Sequence, residues 1–192
     1  MKMLENLPEG YREIYYIDLK KDKKMALIVH LLAVVIGVLM VVPMHFVVPI
    51  SSMFSMEQGL GNYILRFGAL ILLMIAYLVL HELVHGIAMK LCGAKKVKYG
   101  FTALYAYAGC KEFSGKKPYI FIALAPVVLW GVVLAVINPL VPIEWFWIVY
   151  ILQMINISGA AGDLYVTVKF SLMPSDILIQ DYGVGMKVYS RK

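Results

Sequence analysis

Charge is what this chain has least of. Only 16% of its 192 residues are Asp, Glu, Lys or Arg, while 61% are hydrophobic, whereas a water-soluble domain usually carries about a quarter of its residues charged. This balance excludes an ordinary soluble domain and expects a membrane protein. No Ser/Gly/Pro-rich linker and no internal repeat interrupts the sequence, so a single unit over residues 1–192 is expected. Cysteine is equally scarce. Cys92 and Cys110 belong to no CxxC pair, which argues against a disulfide framework and against a thiolate zinc site. Acidic residues number 12 against 18 basic ones, an excess that elsewhere suggests nucleic acid. Here the Lys and Arg residues cluster beside apolar runs, the pattern of cytoplasmic flanks near anionic lipid, so the bilayer is the expected partner and nucleic acid is not.

What the chain has in quantity is apolar runs. Lys20, Lys21, Lys23 and Lys24 precede a run over 25–42, about 18 residues and just enough to span. The cluster fixes the N-terminus inside. No small-residue cleavage pattern follows the run, so it is expected to remain as an uncleaved helix ended by Pro43 and Pro49. A second run over 66–90 returns to Lys95, Lys96 and Lys98, and a third over 119–137 follows Lys116 and Lys117 and contains Pro126. The fourth, over 145–168, opens with Trp145 and Trp147 and ends at Lys169. The expected fold is therefore all-α and integral to the cell membrane, with four transmembrane helices and both termini inside. Three alternating stretches predict short cytoplasmic strands: 11–19, 181–190, and 97–107 with Val97, Tyr99, Phe101, Ala103, Tyr105 and Tyr107 on one side. The last has two readings: an edge strand that pairs with an extended substrate, or an interfacial loop anchored by its tyrosines.

The second run contains HELVH, which is His81, Glu82 and His85. Positions i and i+4 share a helix face, so both imidazoles can meet one ion while the glutamate stands beside them free to handle water. Each ionisable group at membrane depth costs about 2.5–3.5 kcal/mol on insertion scales. Three together require a partner or a cavity, unless they are satisfied polar residues joining two helices. The fourth run repeats the theme: Gln153, Asn156, Ala160 and Asp163 fall at i, i+3, i+7 and i+10, beside the small residues of 158–162. Counting from the flanking lysines, His81 lies roughly 13 Å above Lys90 and Asp163 roughly 9 Å from Lys169, nearly one depth. Asp163 is then a third ligand, an ion-pair partner of a lysine, or a helix cap. Asn156 is expected to line the wet side of the same site. His30 and His45 are expected to be hydrogen-bonded or interfacial.

HELVHG and NISGAAGD together resemble the intramembrane zinc metalloproteases of the site-2 protease group. With GDLYVTVKF and DYGVGMKVY added, most of the chain resembles a bacterial family of membrane zincin peptidases known as a domain of unknown function. The resemblance implies one Zn²⁺ per chain held by His81, His85 and Asp163, with Glu82 activating water and Asn156 matching the first residue of the later motif. It implies hydrolysis of a membrane protein or peptide substrate near the cytoplasmic face. Two positions depart from the site-2 protease pattern: the later motif has no Pro, and Leu164 follows the aspartate where Gly is usual. A divalent-metal carrier or channel is the rival reading, although toward the outer face the sequence offers it only His45 and Glu57. An inactive scaffold needs a broken motif, and His81, Glu82 and His85 are all present.

Overall fold

The computed structural model describes residues 3–18, 21–102, 106–183 and 185–191. Four helical stretches are long and apolar enough to cross a membrane. The first helix, α1 (Lys23–Val47), starts where the Asp22 carboxylate accepts the Met25 N–H at 2.9 Å, the usual satisfaction of a free N-terminal donor. It does not stop at Pro43, which lies inside it. A missing N–H is tolerated within membrane helices; the stop falls before Pro49, because the residue preceding a proline is driven toward extended backbone. Val48 has φ −128° and ψ 108°.

A 3₁₀ turn over Ile50–Phe54 leads to α2 (Leu60–Leu91), which begins ahead of the expected position 66. Arg66 is inside it and buried, because its guanidinium donates to the carbonyls of Ser55 and Glu144 and so ties the preceding loop and the start of the last crossing to the helix. The third crossing is α3 (Lys116–Ile137), with Pro126 within it. The fourth departs from expectation: instead of one helix over 145–168 it is α4 (Ile143–Ser158) and α5 (Ala161–Ser171), broken at Gly159–Ala160.

Among the described residues, six short strands gather at one end of the helices. β1 (Arg12–Ile17), β4 (Ser114–Gly115), β5 (Leu178–Asp181) and β6 (Met186–Ser190) form an antiparallel sheet in the order β1-β6-β5-β4. Leu19 and Lys20 lie outside the described residues, as does Val184 between β5 and β6. The stretch over 97–107 becomes a hairpin, β2 (Val97–Phe101) with β3 (Ala106–Cys110), in a register pairing Val97 with Cys110; Ala103 and Tyr105 lie outside the described residues. The hairpin packs on α2, α2 packs on α3, and α1 rests on α4 and α5.

Toward the loop end, Trp147 and Ile148 pack against Met53 and Leu70, and the Trp147 indole donates to the Pro49 carbonyl at 3.2 Å. At the sheet end, Phe170, Tyr119, Ile179 and Val188 join α5, α3 and the sheet in one core. Between these cores is the middle layer that carries the site. Exposed Leu, Ile and Val cover α1 and α2 from end to end, an outer surface suited to lipid.

Candidate active site

His81 and His85 stand one turn apart on α2, both buried. Asp163 comes from the first turn of α5, and the helix break is what puts it there. Ending α4 at Ser158 and restarting at Ala161 creates a helix N-terminus at this depth, a favourable end for a carboxylate. The Asp163 side chain is not spent on capping, since no side-chain hydrogen bond closes that helix start. Among the described residues its ionisable neighbours within 4 Å are the two imidazoles, with Oδ2 at 3.5 Å from His81 Nε2 and 3.6 Å from His85 Nε2. One donor atom from each of the three lies within 4.8 Å of the others.

The hydrogen bonds behind the rings decide which way their lone pairs point. Asn156 donates its amide to the Val127 carbonyl at 3.0 Å, so its Oδ1 is turned to Tyr77, whose hydroxyl donates to it at 2.9 Å. That hydroxyl has one proton and has used it. The contact of 2.8 Å between Tyr77 and His81 Nδ1 therefore requires the imidazole to donate, which in the neutral ring leaves the Nε2 of His81 as the acceptor. His85 Nδ1 lies 2.9 Å from the Ile122 carbonyl, which can only accept, so Nδ1 carries a proton and, in the neutral form that a metal ligand takes, Nε2 is the acceptor. Both Nε2 atoms face Asp163.

Such a donor set fits a zinc ion. Charge-assisted hydrogen bonds run about 2.7–2.9 Å, shorter than the separations seen. Ligand atoms about 2.0–2.1 Å from a tetrahedral zinc stand roughly 3.3–3.4 Å apart, close to the two separations from the carboxylate, while all three ligand atoms lie within 4.8 Å of one another. Two nitrogens and one carboxylate oxygen, with the outer ring N–H groups anchored elsewhere, also match the usual chemistry of a catalytic zinc site.

Glu82 is outside the three-residue group and half-buried beside it, with a backbone hydrogen bond from Ala108 of β3 reaching its carboxylate. Its side chain borders two spaces. One is a cavity of about 590 Å³ that also reaches His81, His85 and Asp163 and is lined as well by His30 of α1 and Asp181 of β5. The other is a smaller cleft of about 230 Å³ between α2 and the hairpin. The Tyr99 ring of the hairpin rests against α2 where position 86 has no side chain: a Cβ there would lie 1.9 Å from the Tyr99 hydroxyl.

Asn156 does not line the cavity. It is fully buried and acts from behind, through Tyr77, because its amide is committed to α3. Gln153 turns the same way, donating to the Gly131 carbonyl at 3.1 Å, so the polar stripe of α4 faces α3 rather than water. His30 is bonded to its own helix at the Ala26 carbonyl (2.6 Å), and His45 Nδ1 accepts the Ile50 N–H (3.2 Å). Sequence reasoning missed Tyr77, although its place four residues before His81 puts it on the ligand face. It also missed Asp181, which accepts the Tyr119 hydroxyl at 2.7 Å; no spacing rule links those two.

Residues 74–178 match the model of a family described as "Putative zincin peptidase". The "Uncharacterized 24.7 kDa protein in gap 5'region" of Pyrococcus woesei is 31% identical over 148 residues, an alignment covering 72% of this chain. The chain spans 60% of that relative's length. No solved structure matches.

Proposed function

The chain belongs to the family described as "Putative zincin peptidase", and from that membership we propose that it is an intramembrane zinc metallopeptidase of the site-2 protease kind. In this reading it hydrolyses a peptide bond of a membrane protein or peptide near the cytoplasmic face of the cell membrane. His81, His85 and Asp163 are the residues that would hold the ion. Bound there, zinc supplies Lewis acidity that polarises a peptide carbonyl and makes nearby water easier to deprotonate.

The remaining work falls to the chain itself. Glu82 takes a proton from water and passes it to the leaving amine, a general-base and general-acid role suited to a carboxylate beside the ligands and not among them. The cavity in front of it has space for an extended peptide segment, and apolar walls limit the water that enters with it. The β2–β3 hairpin, whose strands pair only with each other among the described residues, offers an edge for backbone pairing with that segment.

The observation that carries the reading is the pair of Nε2 atoms, each ring held from behind at Nδ1, at 3.5 and 3.6 Å from one carboxylate oxygen. The test is metal content and cleavage measured on the full chain in detergent. Near-stoichiometric zinc in the wild type, lost in Asp163→Ala and in the double variant His81→Ala/His85→Ala, is the expected result. Glu82→Gln should keep the zinc and lose cleavage of a membrane substrate. Unchanged cleavage by Glu82→Gln would remove that residue from the chemistry, and zinc flux into liposomes without cleavage would favour a carrier.

A further inference from the structure

Pro126 lies in the interior of α3, fully buried. A proline has no N–H, and its ring crowds the carbonyl four residues earlier, so that carbonyl loses its helical donor. Four residues before Pro126 is Ile122, and it is the Ile122 carbonyl that meets His85 Nδ1 at 2.9 Å. Neither residue is polar in its side chain, and neither stands near HELVH in the sequence.

We propose that Pro126 is a positioning residue of the metal centre: by withholding its N–H it leaves the Ile122 carbonyl free to hold His85 with the Nε2 lone pair turned toward Asp163. An ordinary residue at 126 would supply an amide to that carbonyl and draw it back into the helical ladder. His85 would then share its acceptor with the backbone or rotate, and a rotated ring presents the wrong nitrogen. The arrangement places the orienting group of one ligand on a third helix, so α2, α3 and α5 meet at one point. The proposal rests on the reading that these side chains bind a metal, although the ring orientation it explains exists without one.

Two measurements on the full chain in detergent test it. With ¹⁵N-labelled histidine and no metal added, the His85 ring should show a protonated Nδ1 hydrogen-bonded to a carbonyl; an Nδ1 without a proton overturns the proposal whatever the zinc results. Zinc affinity, read by chelator competition, should weaken about tenfold in Pro126→Ala, the lower end of what loss of an outer-shell partner costs. Pro43→Ala, which adds an N–H inside α1 away from the site, should leave it unchanged.

Replacing residue 126 by the α-hydroxy analogue of alanine, which has neither ring nor N–H, separates the two properties of proline. That ester should return the affinity to within about threefold of wild type, since the orienting carbonyl is free again. Affinity in Pro126→Ala equal to wild type, or an ester as weak as the alanine variant, would overturn the proposal. A wild type that binds no zinc would instead sink the metal reading, and the tautomer of His85 would still decide the role of Pro126.

Discussion

A phenol has a single proton to give, and at Tyr77 its allocation determines what His81 can do. Tyr77→Phe removes the hydroxyl and leaves Asn156 Oδ1 and His81 Nδ1 facing each other's vacated partner in a buried layer. Unpaired buried polar groups cost about 1–3 kcal/mol, so the melting temperature in detergent should fall. Zinc affinity should fall with it by roughly tenfold or more, as when other outer-shell partners of ligating histidines are removed. A phenylalanine variant with unchanged zinc affinity would show that the ring of His81 is fixed by packing alone. The HExxH pair was legible in the sequence because one helix fixes its spacing, and Tyr77 was open to the same rule. The inward commitment of Asn156 was not, since it depends on how α3 rotates against α4.

Cys110, in the hairpin outside the spans, gives a second prediction at this scale. Burial, with Glu112 and Asp181 nearby, pushes its thiol up to about 12. At pH 8 an unperturbed thiol near 8.5 is partly ionised, but here roughly one molecule in ten thousand would be. Iodoacetamide should therefore leave Cys110 unmodified until the protein unfolds. The linked stability has the sign of a raised pKa: it is fully present below about 8.5 and lost as pH rises toward 12. Cys110→Ala should melt with a shallower alkaline decline than the wild type, measured by thermal scans between pH 8 and 11.

Among the elements, the break in the fourth crossing matters most for the site. The four spans could be read from run length and lysine flanks. The break could not, because Ser158–Gly162 is small and apolar enough to continue a helix as easily as to interrupt one. Packing decides it: Asn156 is anchored to α3, and α5 must tilt to reach the sheet core through Phe170. Gly159 permits the change of direction, since a Cβ there would lie 2.4 Å from the Ile155 carbonyl oxygen. Gly159→Ala must therefore move the backbone, at a cost of about 1–3 kcal/mol, and the displaced α5 carries Asp163 with it. Weaker zinc binding together with a lower melting temperature is expected, whereas Gly162→Ala, where nothing lies within 4 Å, should change neither. The strands show the same division. Alternation located β1 and the hairpin, but the pairing of β1 with β6 joins segments some 170 residues apart and left no local sign.

For the molecule as a whole, orientation follows from where the charge lies. All six strands are at one end of the helices, and with them are Lys23, Lys24, Lys95, Lys96, Lys98, Lys116, Lys117 and Lys169. The other end carries Glu57 and Glu144, and its one arginine, Arg66, is buried against carbonyls. Lysines in short loops beside the spans hold their end in the cytoplasm, so the sheet, the hairpin and the mouth of the cavity are expected inside and the 48–59 loop outside. Because both native cysteines are buried, introduced ones can be read without background. In intact cells a membrane-impermeant maleimide should label Glu57→Cys and spare Lys96→Cys, and permeabilisation should expose the latter. Labelling in the reverse order would put the cavity mouth on the outer side. The substrate segment would then have to come from the outer leaflet or from outside the cell, which moves the proposed chemistry to the opposite face while leaving the metal ligands as they are.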